Sequence, residues 1–250
     1  MNAPRLFVTQ DLTDQADIAL ERDQAHYIAS VMRRGVGDEV RLFNGRDGEW
    51  LAHIKVATRK GVILKCTERT RDQVSVPDVE LLFAPVKKTR TNFIIEKATE
   101  LGARSIRPVM TTRTNAERVR NDRLNLIARE AAEQTERLDV PQIGDVTKLG
   151  AVLSAWADRV LIFCDEAGDA KPMLDAARTS GPGPVSILIG PEGGFTPEER
   201  TQIRDIPGAL PVSLGPRILR ADTAAIAALT LWQSVHGDWS YFQTDVITAS

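Results

Sequence analysis

Val185-Ser186-Ile187-Leu188-Ile189-Gly190-Pro191-Glu192-Gly193-Gly194-Phe195-Thr196-Pro197-Glu198-Glu199 compresses a strand, a loop and a helix start into fifteen residues. The run Val185 to Ile189 is apolar and β-branched, too short for a helix and bounded by glycine, so it reads as a buried strand. Three glycines and a proline then open a loop whose backbone a ligand can approach closely. Thr196-Pro197-Glu198-Glu199 has the chemistry of a helix N-terminus: threonine as cap, proline at the first position, glutamate at the third. A buried strand feeding a helix through a glycine loop is the unit of a parallel α/β sheet.

The neighbouring sequence repeats that rhythm. Glu80 to Val86 and Val160 to Cys164 are further buried strands. Ile94, Ala98 and Leu101 fall at helical spacing, and Leu124, Ile127, Ala128, Ala131, Thr135 and Leu138 extend one stripe over four turns. A last helix is expected after Asp222, with Ala225, Ile226, Leu229 and Trp232 inside. Upstream of Val76-Pro77-Asp78, the chain reads instead as a small β-rich unit. Arg5–Thr9, Glu39–Phe43, Glu49–Thr58 and Val62–Thr67 are its strands, with turns at Asn44-Gly45 and Lys60-Gly61 and one helix over Asp23–Arg33. The division is therefore 1–72 and 73–250.

Composition bounds the rest. The 250 residues are 42% hydrophobic and 26% charged, ordinary values for a globular chain and wrong for a disordered one. Ala224–Trp232, the longest nearly apolar stretch, is about half a bilayer span. Met1-Asn2-Ala3-Pro4-Arg5 has no apolar run behind a basic region, so no signal peptide is expected. Two cysteines, Cys66 and Cys164, fit neither a disulfide framework nor a metal site. A reducing, cytoplasmic location follows, and no metal is expected. The net charge of −2 conceals a basic middle: residues 80–140 carry 12 Lys and Arg against 9 Asp and Glu, and residues 141–250 carry 8 against 13. Local positive charge permits RNA binding without implying it.

Ligands of open α/β sheets sit beyond the carboxyl ends of the strands. Two segments leave strands there: Ile189–Phe195, and Ser213-Leu214-Gly215-Pro216-Arg217-Ile218-Leu219-Arg220 before the last helix. Neither has the spacing of a Walker loop or a dinucleotide fingerprint. Taken alone, each is more often a structural tight turn; two such loops after strands of one sheet bring a small-molecule site to even odds.

Together these segments resemble the signature loops of a bacterial ribosomal RNA methyltransferase family, the small subunit methyltransferase E family of the SPOUT superfamily. The likeness extends to Lys97-Ala98-Thr99-Glu100-Leu101-Gly102, to Glu130-Ala131-Ala132-Glu133-Gln134 with Arg137, and to Pro141. In the first unit it takes in Arg5-x-Phe7, His26, and Arg33 with Gly37-Asp38. One position departs from the family pattern: Asp222 precedes Thr223-Ala224 where the family usually has glutamate.

The resemblance implies a PUA-like RNA-binding barrel followed by an α/β methyltransferase domain with a deep trefoil knot. It implies methyl transfer from S-adenosylmethionine to N3 of a uridine in small-subunit ribosomal RNA, by a homodimer, on a substrate expected to be an assembled subunit. Cofactor contacts are implied for Leu188, Ile189, Gly190, Pro191 and Gly193. The second loop would add Ser213, Leu214, Gly215, Ile218 and Leu219, with Thr223 from the last helix. Arg220 is the first choice to stabilise charge on the base, against a structural salt bridge with Glu192 or Asp222. Asp222 could assist deprotonation, but an aspartate opening a helix is more often its N-cap, and the cap reading is preferred; Glu192 faces the sulfonium or the base. RNA contacts are expected from Arg5, Arg33, Arg34, Lys87, Lys88, Arg90, Arg113 and Arg137, with Arg118, Arg120 and Arg123 continuing the basic cluster. Competing readings keep the fold with another RNA target, or make the chain a non-catalytic ribosome-assembly factor.

Overall fold

The computed structural model describes residues 3–58, 61–115, 119–165 and 170–239. The chain forms two compact units, residues 1–75 with 132–140, and residues 76–131 with 141–250.

In the first unit, β1 (Arg5–Phe7), β2 (Asp17–Ala19), β3 (Glu39–Phe43), β4 (Glu49–Thr58) and β5 (Gly61–Arg71) form one sheet in the order β1-β3-β4-β5-β2. Only the β1–β3 pair is parallel. Alternate residues of the long strands, among them Val40, Leu42, Ala52, Ile54, Leu64 and Cys66, point into a shared core, as the two-residue period of a half-buried sheet requires. The helix expected over 23–33 is shorter and divided: α1 (Arg22–His26) runs into a π-helical turn over Tyr27–Val31, and Arg33 at φ +53° ends it. Asn44 and Gly45 begin a longer loop than a two-residue hairpin. Asn44 Oδ1 accepts from the N–H groups of Arg46 and Asp47, and its Nδ2 donates to Asp47 Oδ2 at 2.6 Å. The asparagine side chain thus builds the turn. The expected turn at Lys60-Gly61 falls partly outside the described residues.

Residues 132–140 pack with this first unit although they follow a helix of the second. Leu138 and Ala132 are buried with Phe43. The helical stripe expected to reach Leu138 ends earlier, at Gln134, and Glu136 at φ +60° turns the chain.

The second unit is built on β6 (Val79–Phe83), α2 (Lys88–Glu100), β7 (Ser105–Met110), α3 (Asn121–Gln134, whose last residues join the first unit), β8 (Gln142–Ile143), β9 (Thr147–Lys148) and α4 (Leu149–Ser154). It continues through β10 (Val160–Cys164), β11 (Lys171–Pro172), α5 (Met173–Ser180), β12 (Val185–Ile189), α6 (Pro197–Arg204), β13 (Ala209–Ser213) and α7 (Ala221–His236). The strands lie in the order β11-β13-β10-β12-β6-β7-β8, with β9 also on β7, and every pairing is parallel. Leu82, Leu161, Phe163 and Leu188 pack with Leu149, Val152 and Ile203 of α4 and α6. Residues of opposite parity, such as Leu81, Ile162 and Ile187, are equally buried, and α7 packs against β12 and β6 together with α2 and α5. Strands covered on both faces explain the continuous apolar runs of the sequence. No helix among the described residues is long and apolar enough to cross a membrane.

Candidate functional site

The strand order places the ends of β10, β12 and β13 side by side, and the segments leaving them enclose a cavity of about 270 Å³. One wall is the loop after β12, from Ile189 through Glu192 and then Gly194 and Phe195; the other is Ser213–Leu219 after β13. Helix α7 closes it through Ala221 and Ala224, and β10 contributes Cys164 and Asp165. Gly190 is glycine for a packing reason: a Cβ there would lie 2.9 Å from the ring of Phe195. Gly194 is glycine for a conformational one, since its φ of +67° lies in the left-handed region. Its N–H donates to the Pro191 carbonyl at 2.8 Å, closing a tight turn. Beyond that turn the expected capping box is complete: Glu199 N–H donates to Thr196 Oγ1 and Thr196 N–H to Glu199 Oε2.

The cavity has a mixed lining. Phe195, Val212, Leu214, Ile218 and Leu219 offer apolar surface, and the loop backbones offer hydrogen-bonding groups. Asp165 is buried between two guanidiniums, with Arg200 Nη2 at 2.7 Å and Arg204 Nη2 at 3.1 Å. Arg200 also lines the cavity, and its buried Nε has no hydrogen-bond partner among the described residues, a spare donor where polar groups are normally satisfied. Burial pushes the Cys164 thiol up to about 12, so it is a neutral part of the wall and not a nucleophile.

The expected site residues divide sharply. Ile189, Gly190, Pro191, Ser213, Leu214, Gly215, Ile218 and Leu219 line the cavity, and so does Glu192. Leu188 does not: its side chain is core between the sheet and α4. Gly193 and Thr223 also lie outside the lining, where Ala221 and Ala224 stand instead. Arg220 is exposed at the backbone cap of α7, with no side-chain partner among the described residues. Asp222 is not the cap residue, because the helix starts one residue before it; its Oδ1 accepts the N–H of Thr223 at 2.9 Å.

Several residues expected to contact RNA have partners within the protein. Arg5 is buried in the first unit, where Nε donates to Glu49 at 2.7 Å and the Nη groups donate to the carbonyls of Ala132, Glu133 and Arg137. Arg137 is also buried, its guanidinium on Asp139 at 3.0 Å. Both guanidiniums are thus held by protein acceptors. Arg90 reaches Glu192 at 2.7 Å and Asp222 at 3.9 Å, and Arg113 Nη1 donates to the Gly193 carbonyl at 2.8 Å. The salt bridge considered for Arg220 is therefore made by Arg90. Arg120 pairs with Asp122, Arg123 lies 3.5 Å from Asn92 Oδ1, and Arg118 falls outside the described residues. Lys87 and Lys88 are exposed, Arg33 is exposed and Arg34 half-buried. No metal-binding group of histidine, cysteine and carboxylate side chains occurs among the described residues.

A cofactor-sized cavity between two loops at one end of a parallel sheet is the architecture of a group-transferring α/β enzyme. Residues 73–233 match the RNA methyltransferase domain family, and residues 20–66 match the RNA methyltransferase PUA domain. The chain is 31% identical to the ribosomal RNA small subunit methyltransferase E of Rickettsia conorii, covering 92% of this chain and 94% of that protein. It is 33% identical to the protein of that name from Synechocystis, covering 91% and 76%. Among solved structures, a putative methyltransferase of Legionella pneumophila in complex with S-adenosylmethionine superimposes with a TM-score of 0.85 at 27% identity, covering 95% of this chain and all of that one. The chain thus belongs to the RNA methyltransferases, and within them to the ribosomal RNA small subunit methyltransferase E family.

Proposed function

We propose that this protein transfers the methyl group of S-adenosylmethionine to N3 of a uridine in 16S ribosomal RNA, position 1498, acting in the cytoplasm as a homodimer on an assembled small subunit. The first unit closes as a PUA-like RNA-binding barrel over residues 1–72, and residues 73–250 form a methyltransferase domain with a deep trefoil knot. Support for both comes from the match to the RNA methyltransferase domain and PUA domain families.

The observation that carries the reading is the cavity between the two glycine-containing loops. Its chemistry fits the cofactor. Backbone groups at 189–191 and 213–219 suit adenine and ribose, the apolar side chains suit the thioether region, and Arg200 Nε suits a carboxylate or hydroxyl acceptor. S-adenosylmethionine supplies an electrophilic methyl group, and its own leaving group makes the transfer favourable. The work left to the chain is alignment and management of charge. Fixing N3 against the methyl group contributes roughly 7–11 kcal/mol to such a reaction. The N3 proton must leave before or as the N3–C bond forms; its loss puts negative charge on O2 and O4 of the base, which methyl transfer then discharges. Arg220, exposed and unpaired among the described residues beside the second loop, stabilises that charge. Glu192, half exposed at the cavity rim and held by Arg90 at 2.7 Å, takes the proton; Asp222, which accepts the Thr223 N–H, lies outside the lining. Lys87, Lys88, Arg33 and Arg34 are the basic side chains that meet RNA phosphates.

Calorimetric titration tests the reading, with ATP as the control ligand. Saturable binding of S-adenosylmethionine and none of ATP is expected. Tight ATP binding would make the loop a phosphate nest and overturn it.

A further inference from the structure

Arg90 and Arg113 come from different elements and converge on the same stretch of the glycine loop. Arg90 sits in the first turn of α2, and one guanidinium reaches two carboxylates from separate segments: Glu192 in the loop through Nη1, and Asp222 in the first turn of α7 through Nε. Arg113 follows β7 and holds the backbone of the next residue, Gly193, through its carbonyl. Within the loop itself, the turn is closed by the hydrogen bond from Gly194 to Pro191. Ile189–Glu192 and Gly194 line the cavity, while Gly193, the residue Arg113 grips, lies outside the lining.

We infer that Arg90 and Arg113 are positioning residues forming a two-point clamp, which holds the 191–194 loop in its cofactor-receiving shape and fixes Glu192 relative to the start of α7. They were expected to bind RNA phosphate. In the structure one Nη1 donor of each is already given to the loop, Arg90 to Glu192 and Arg113 to the Gly193 carbonyl. A loop fixed in advance binds more tightly because less ordering cost falls on the binding step. Arginine suits the role better than lysine, since its planar guanidinium lets Nη1 hydrogen-bond Glu192 while Nε faces Asp222 at 3.9 Å, an ion pair without a hydrogen bond. The consequence for cofactor affinity rests on the methyltransferase reading; the clamp itself does not.

The test uses the full chain as Arg90→Ala, Arg90→Lys and Arg113→Ala. Hydrogen exchange without ligand reads the loop directly. The amide of Gly194, hydrogen-bonded to the Pro191 carbonyl, should exchange about 2–5-fold faster in either alanine variant, the change expected on removing a partly exposed charged partner. Amides of β12 and the middle of α7 should not change. Titration should show S-adenosylmethionine bound about 5–30-fold more weakly by both alanine variants, with Arg90→Lys in between. Glu192→Gln should add little to Arg90→Ala, because both substitutions break the same ion pair. The salt dependence of RNA binding should keep its slope. Unchanged loop exchange would overturn the clamp, as would a smaller salt slope with cofactor affinity intact, which makes these arginines RNA ligands. Should the wild-type protein fail to bind S-adenosylmethionine, the methyltransferase reading falls while the exchange measurement still decides the clamp. Arg90→Lys and Arg113→Ala keep the test alive if Arg90→Ala does not fold.

Discussion

The ring of Phe195 lies so close to Gly190 that a Cβ at position 190 would come within 2.9 Å of it. Phe195 is itself buried, edge-on to Phe163 at a centroid distance of 6.4 Å, so the ring has little freedom to retreat. Gly190→Ala should therefore cost about 1–3 kcal/mol by overpacking and weaken S-adenosylmethionine binding by an order of magnitude or more. Gly193→Ala is the control, because its Cβ would meet only Arg113 side-chain carbons at 3.5 Å. Denaturant unfolding and calorimetry of the two variants check the contrast; equal loss in both would remove the Gly190–Phe195 packing from the account.

Arg220→Ala separates catalysis from binding. The side chain is exposed, lies outside the cavity lining and has no partner among the described residues, so stability and cofactor affinity should stay within experimental error. Turnover should fall about 10²-fold or more, the usual loss on removing a donor aimed at developing negative charge. A parallel loss of cofactor affinity would move Arg220 into the binding site.

Arg5 makes the opposite prediction. Its guanidinium is the main partner of Glu49, whose side chain is fully buried, with Arg41 at 3.5 Å as a second and weaker one. Arg5→Ala removes the closest partner of that carboxylate, leaving it Arg41 and the Thr70 hydroxyl at 3.1 Å, and frees three carbonyls of the 132–137 segment. A destabilisation of about 3–5 kcal/mol is expected, with RNA affinity of the folded fraction unchanged. An RNA-binding defect without a stability defect would restore Arg5 to the interface.

Asp47 gives the first unit a pH dependence. The Leu12 N–H and then the Asn44 side chain hold its carboxyl below the ordinary value of 3.8. A carboxyl depressed in the folded state adds stability that is fully present above 3.8 and is lost as the pH falls through its lower folded value. Asp47→Asn should therefore unfold more easily at pH 7, and its disadvantage should shrink below pH 3.8. A constant difference between the two proteins would contradict the assignment.

Lys87 and Lys88 carry no partner among the described residues and are exposed. Replacing both by alanine should weaken RNA binding and lower its salt slope by about one for each phosphate no longer neutralised. An unchanged slope would return them to the solvated surface.

Local signals in the sequence carried much of this. The apolar runs became the central strands β6, β10 and β12, and Thr196 with Glu199 formed the capping box their spacing predicts. The two loops lined one cavity because both leave strands at the same end of a parallel sheet. What escaped were features set by distant partners. Strand β2 is three residues long, with only Ile18 buried, too little for a pattern. Cys164 and Asp165 join the cavity because β10 lies between β12 and β13, an order no local spacing encodes. Arg5, Arg90 and Arg113 resemble surface cations in sequence, and their acceptors lie 44, 102 and 80 residues away.

The central claim is the chemistry itself. Small ribosomal subunits lacking base methylation, incubated with this protein and S-adenosylmethionine, can be digested to nucleosides and analysed by mass spectrometry. One new 3-methyluridine per subunit, dependent on Arg220, is expected. A methyl group on a ribose or on another base, or none on a subunit the protein demonstrably binds, would contradict it.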